Sequence, residues 1–331
     1  MRIASVCAAP GIPVFGPSGA SAHLRGMALG FAALGHDVSV HAARELDHRG
    51  RHGHLDLPVS AVQVPGWPSW LRRYRERRER WTARRVARTL GDVDLVYERW
   101  TLFSEAGRDR GVPWVLEVNA PLVDERLRFE EVHDLAYARA WERRVLLAAD
   151  LLVAVSPWLE RWLVDGIGVP AERVVVVENG CRAANAEPAE LDGFVIGFLG
   201  SCKPWHGHER VENIARLAGG VPLMVTRVED FEPLVRRMDV ALMPYRGDAP
   251  PWFCPLKLYD YKAQGTPVVA SDIGCLGALI GDGGTVVPPD DDDAFAAACR
   301  DWQGRRASVV KRPWNIVAAE VLQRIEDVDA Y

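Results

Sequence analysis

Short apolar, β-branched runs alternate along the chain with stretches whose apolar residues recur every three or four positions. That alternation predicts parallel strands joined by crossover helices. Residues 2–8 read as a buried first strand, followed by a loop carrying Gly11, Pro13, Gly16, Pro17 and Gly19. Residues 22–34 read as a helix with Leu24, Met27, Phe31 and Leu34 on one face, stopped by Gly35 before a second strand at 37–42. Further strands are expected at 61–64, 94–97, 114–118, 151–155 and 174–177. A second series begins near Phe194, with strands at 195–199, 222–225, 240–244, 267–270 and 285–287. A polar stretch at 182–192 lies between the series, and a last helix near 314–327 carries Ile316, Val317, Val321, Leu322 and Ile325. The expected fold is α/β: two Rossmann-like domains, 1–182 and 183–312, facing across a cleft, with a helix in 313–331 packing back towards the N-terminal domain. Ligands of such sheets bind outside the carboxyl ends of the strands.

Composition narrows the function. With 331 residues, 48% of them hydrophobic, the chain can build two cores. A net charge of -5 argues against a general nucleic-acid binder. The longest apolar candidate, 145–159, is cut by Asp150 and Pro157, short of the ~20 residues that span a bilayer. Met1-Arg2 leads straight into the first strand, leaving no room for a signal peptide. The six cysteines form no CxxC pair, as expected of reduced thiols. A cytoplasmic location and no integral membrane segment are expected. The run 71–88 holds nine arginines and two glutamates, and reads as a solvated helix rather than a lipid-binding face. Asp290 to Asp293 follow two prolines and precede an alanine-rich helix, which favours helix capping over metal binding. No metal site is expected.

Several blocks in order resemble family 4 of the retaining glycosyltransferases, which have the GT-B fold. They are Gly19-Ala20-Ser21-Ala22-His23-Leu24-Arg25 with Leu34-Gly35-His36-Asp37-Val38, then 149–156 (ADLLVAVS) and Asn179-Gly180. Gly200 to Gly207 (GSCKPWHG), Pro255 to Asp260 (PLKLYD) and 265–271 (GTPVVAS) complete the series. The resemblance implies an acceptor domain first, a sugar-nucleotide donor domain second, and a donor of the UDP or GDP type needing no metal. It implies transfer with retention, while the short chain and its altered donor site suggest a hydroxyl or thiol of a small molecule as acceptor, in natural-product biosynthesis. Cell-wall or lipopolysaccharide assembly is the alternative, as is a non-catalytic sugar-nucleotide binder. The oligomeric state is left open.

Such an enzyme must hold a diphosphate and stabilise it as negative charge grows. Lysine occurs only at 203, 257, 262 and 311, and two of these fall in the implied phosphate segments. Lys257 and Lys203 are therefore the candidate catalytic cations, with Arg227 beside them in the donor site. Pro255 and Leu256 should open a helix whose amides face the diphosphate. The resemblance places at Asp260 the acid that grips the ribose hydroxyls. The chain departs from the family pattern where Trp252 stands for a glutamate, and where Ser201 and His206 stand for an arginine and a lysine. His206 would help mainly when protonated. In the first half, Gly16 to Ser21, with Gly16 and Gly19, read as a flexible loop able to approach a phosphate or sugar closely. It lacks GxGxxG spacing, and the second strand ends without a ribose acid, which disfavours a dehydrogenase. His23 is a candidate catalytic residue or a packed helix histidine. Asn119 occupies the place where many relatives carry a histidine near the reacting sugar. Glu98, Arg99, Trp100, Asp124 and Glu125 are candidate acceptor contacts.

Overall fold

The computed structural model describes residues 1–45, 55–64, 74–182, 186–226 and 230–329. The chain divides into two units, Met1–Glu178 with Trp314–Tyr331, and Asn179–Pro313. Each is an α/β unit built on one parallel sheet, as the hydrophobic pattern predicted.

The first sheet has seven strands: β1 (Arg2–Cys7), β2 (Asp37–Ala42), β3 (Val59–Ala61), β4 (Leu95–Arg99), β5 (Trp114–Val118), β6 (Leu151–Ala154) and β7 (Val174–Val176). Their order is β3-β2-β1-β4-β5-β6-β7, every pair parallel. The reversal at β1 and β4 makes a switch point, so ligand contacts are expected at the carboxyl ends of β1, β4 and β5. Helix α1 (Gly19–Ala33) follows β1, then α2 (Arg75–Ala87), α3 (Leu122–Phe129), α4 (Leu135–Ala148) and α5 (Pro157–Arg161). Helix α1 starts at Gly19, three residues before the sequence-based boundary. The Ser18 side chain accepts the amide of Ser21 at 3.2 Å and caps it. The glycine loop therefore ends at Ser18, and Gly19 to Ser21 are helical, not loop.

The basic run forms α2, with residues 71–73 outside the described segments. Several of its charges are paired: Arg75 meets Glu79 at 2.9 Å and Glu130 at 2.5 Å, and Glu79 also holds Arg126 at 2.6 Å.

The second sheet has five strands: β8 (Val195–Leu199), β9 (Val221–Val225), β10 (Val240–Met243), β11 (Val268–Ser271) and β12 (Gly284–Val287), in the order β12-β11-β10-β8-β9 and again all parallel. Around it lie α6 (Val211–Ala218), α7 (Glu232–Arg237), α8 (Leu256–Ala263), α9 (Leu276–Ile280) and α10 (Asp292–Asp301). Phe198, Ile214, Leu242, Val269 and Phe295 form its buried core. Asp291 caps α10 by accepting the amide of Ala294 at 2.9 Å, while Asp290 accepts the amide of Gly247 at 2.8 Å and Asp292 pairs with Arg210 at 2.7 Å. The aspartate run thus serves capping and loop fixing.

The last helix, α11 (Trp314–Asp329), packs on α1 in the first unit, as expected. Val317, Ala318 and Val321 join the core of Met27, Phe31 and Leu24. The approach is close because α1 presents glycine. A Cβ on Gly26 would lie 2.4 Å from the Trp314 ring, and one on Gly30 would lie 2.4 Å from the Trp314 carbonyl oxygen. No described helix is long and apolar enough to cross a membrane.

Candidate functional site

In the first unit, polar side chains gather at the carboxyl ends of β4 and β5, beside α1. Glu117 is their hub. It is 1% exposed within an otherwise apolar strand. One oxygen accepts Arg99 Nη1 at 3.0 Å and Asn119 Nδ2 at 2.6 Å. The other accepts the Tyr97 hydroxyl and lies 3.3 Å from His23 Nε2. Arg99 Nη1 also donates to Asn119 Oδ1 at 2.9 Å. Burial raises the Glu117 pKa, but His23, Arg99, Asn119 and Tyr97 outweigh it and hold the group below the usual range. The half-buried Glu125 faces the Arg99 field, and burial raises its pKa despite that charge. His23 is buried, its ring centre 4.9 Å from that of Trp314 in an edge-to-face contact. It is therefore both a packed helix histidine and part of the polar cluster.

Other expected contacts lie elsewhere. Glu98 is 0% exposed and points into the protein, where it accepts the Ser104 hydroxyl, the Ala106 amide at 3.0 Å and Trp114 Nε1 at 2.9 Å. It pins the β4–β5 connection and offers nothing to an acceptor. Trp100 is buried against Trp162 at 6.1 Å between ring centres. Asp124 is engaged by the Arg139 guanidinium. Gly16 is buried, and its carbonyl and that of Val14 accept Arg25 Nη1, so an arginine of α1 shapes the loop.

In the second unit the cluster forms where β8 ends against the start of α8. Lys257 is 9% exposed, and its Nζ sits 3.8 Å from the centre of the Phe198 ring. It has no hydrogen-bond partner and no carboxylate within 4.0 Å among the described residues. Burial lowers its pKa to about 7. Gly200 makes the room: its φ is +135°, and a Cβ there would lie 2.9 Å from Lys257 Nζ. Tyr261, one turn further on α8, accepts the Leu199 amide at 2.7 Å and ties the helix to the end of β8. Pro255 precedes α8 and Leu256 opens it, with no side-chain cap on its first amides.

Around this ammonium stand aromatic rings. Tyr245 is 5.9 Å from Lys257 Nζ, and Phe253 lies 6.0 Å from Tyr245 and 6.2 Å from Trp205. Lys203 is exposed, its Nζ 5.8 Å from the Trp205 ring. His206 Nδ1 lies 2.6 Å from the Ser201 carbonyl oxygen, which places the ring proton on that nitrogen. Burial and the neighbouring Lys257 lower its pKa to about 4, so near neutral pH it supplies no cation in this state. Ser201 is exposed, and Trp252 is half-buried beside Phe253. The Asp260 carboxyl accepts the backbone N–H of Arg182, and burial raises its pKa to about 7 against the pull of Arg182. Arg227 lies outside the described residues.

Sequence reasoning passed over Glu117, Tyr97, Phe198 and Tyr245 as site residues. For Glu117 a signal existed: a carboxylate inside a buried apolar strand needs partners. For the aromatic rings none did, since they read as ordinary core.

Residues 17–184 match the family described as Glycosyltransferase Family 4, and residues 193–303 match the one described as Glycosyl transferases group 1. A phosphatidyl-myo-inositol mannosyltransferase of Mycolicibacterium smegmatis is 28% identical over 53% of this chain and 57% of its own length. The match thus spans little more than half of that relative. Sucrose-phosphate synthase from Thermosynechococcus elongatus superposes with a TM-score of 0.69 at 15% identity, covering 100% of this chain and 99% of the other. The Anabaena protein HepE, solved with UDP and glucose, gives 0.66 at 17% identity, covering 100% and 97%. AviGT4, a glycosyltransferase involved in avilamycin A biosynthesis, gives 0.64 at 18% identity, covering 100% and 99%. These likenesses speak for the fold, and the match over 17–184 speaks for the family: the chain belongs to glycosyltransferase family 4.

Proposed function

We propose that this protein transfers a glycosyl group from a nucleoside diphosphate sugar, of the UDP or GDP type, to a hydroxyl or thiol of a small-molecule acceptor. The observation that carries the reading is the Lys257 ammonium at the end of β8, buried over Phe198 with no hydrogen-bond partner or ion-pairing carboxylate among the described residues. A buried cation without a counter-charge is costly, and its depressed pKa expresses that cost. A diphosphate placed there restores the missing charge, and the interaction grows as the leaving group gains negative charge. Lys257 takes the part a divalent cation would otherwise take, aided by the uncapped start of α8. Lys203, on the exposed side, extends the positive field. Asp260 is assigned to the ribose and Trp252 to the sugar face.

The acceptor is assigned to the Arg99, Asn119 and Glu125 end of the first unit, with Glu117 and His23 holding that end in shape. In this reading the reaction retains configuration. The bond from the anomeric carbon to the diphosphate oxygen breaks, the bond to the acceptor atom forms on the same face, and the acceptor proton passes to the departing diphosphate. A natural-product pathway is the reading preferred for a donor site of this altered composition.

Lys257→Ala tests the assignment. Turnover with the preferred donor is expected to fall about 100-fold or more, while the melting temperature holds or rises because a buried unpaired charge is gone. Unchanged turnover would overturn the donor site. A thermal-shift screen of UDP, GDP and their sugars on the wild type identifies the base. Nucleotide binding with no turnover on any acceptor would favour a non-catalytic binder.

A further inference from the structure

The first unit also holds a pocket of about 510 Å³ whose lining includes none of His23, Arg99, Glu117, Asn119 or Glu125. Its wall comes from three places: α2 gives Arg80 and Arg84, the β4–β5 connection gives Phe103, Glu105 and Arg108, and α4 gives Arg144. Four arginines line it against two acidic residues, the second being Asp109. Glu105 is already shared by Arg108 at 3.0 Å and Arg144 at 2.6 Å. Asp109 is 88% exposed and reaches only to 3.7 Å from Arg108. Arg80 and Arg84 have no carboxylate within 4.0 Å among the described residues. The positive charge is therefore not balanced from within.

Two of the arginines are held in place before any ligand arrives. Arg80 and Arg144 each lie 4.4 Å from the Trp141 ring centre, and Arg80 also donates to the Tyr137 hydroxyl at 3.3 Å. Phe103 adopts φ +72°, a left-handed conformation unusual for a bulky residue, and its ring stacks on Tyr137 at 5.4 Å. The result is a recess lined by four arginines, Ala83 and Ala87 and backed by buried aromatic rings, of a size that takes a small molecule. Guanidinium forks converging from separate elements suit a dianion with three equivalent oxygens better than a single carboxylate.

We infer that this pocket binds a soluble phosphate monoester, at a site whose lining includes none of the residues assigned to donor or acceptor. The inference does not depend on the proposed transfer reaction. Calorimetric titration of the full chain with phenyl phosphate tests it. Saturable binding is expected, weakened about tenfold or more for each arginine lost in Arg80→Ala and Arg84→Ala and unchanged in Lys257→Ala. Absence of saturable binding overturns the inference, as does binding that Lys257→Ala removes and the arginine variants keep. Arg84 is exposed on α2, so Arg84→Gln alone carries the test if the Arg80 variant does not fold. A protein that ignores phenyl phosphate but sediments, in an Arg84-dependent way, with phosphatidylcholine vesicles containing phosphatidylinositol also overturns it.

Discussion

Glu98 and Glu117 sit on adjacent strands, both fully buried, and their pKa values move in opposite directions. Glu117 faces Arg99 and His23, and the opposite charges win over burial. Glu98 meets only neutral donors, and burial carries its pKa from 4.5 to about 7. Between those values the folded state keeps a proton that the unfolded chain has lost. The contribution of Glu98 to stability is therefore whole below about pH 4.5 and is lost as pH rises through 7. Glu98→Gln cannot titrate. Its stability relative to the wild type should improve by up to about 3 kcal/mol between pH 4.5 and roughly pH 8, on top of a constant loss from mismatched hydrogen bonds. Urea unfolding of both proteins across that range measures the difference, and a flat difference would contradict the assignment.

At the scale of elements, α1 does two tasks with adjoining faces. Leu24, Met27 and Phe31 enter the core, while Gly26 and Gly30 let α11 approach. Periodicity shows the first face because apolar residues mark it. The second is marked only by missing side chains, which gain meaning when Trp314 is seen against them. Gly26→Ala and Gly30→Ala should each destabilise the protein by about 1–3 kcal/mol, despite the better helix propensity of alanine. Gly30→Ala should be the worse of the two, since its clash is with backbone rather than a ring that can shift. Thermal unfolding decides, and a stabilised Gly30→Ala would show that α11 does not dock this closely.

At the scale of the whole molecule, the chain leaves the first unit after Glu178 and returns to it at Trp314. The first unit therefore depends on residues that follow the second in sequence. Ending the chain at Pro313 should remove the packing of Val317, Ala318 and Val321, at roughly 1.5–3 kcal/mol for each fully buried valine. The unfolding of the first unit should move to lower denaturant, while the second unit, which keeps all of Asn179–Pro313, unfolds as before. Hydrogen exchange resolves the two units separately. Equal loss of protection in both would sink this division.

The amino-acid sequence by itself determined the order of elements and the parallel sheets, because buried strands and glycine-bounded loops leave local marks. Pro255 to Asp260, Asn119 and Arg99 could be named from such marks and from resemblance. Only the tertiary structure decided what each polar side chain meets. It turned Glu98 inward to hold a loop, tied Asp124 to Arg139 and made Glu117 the centre of a network. It also set Lys257 over Phe198 with no hydrogen-bond partner among the described residues. Burial and partner identity fix a charge's pKa and role, and both are properties of contacts between residues far apart in the chain.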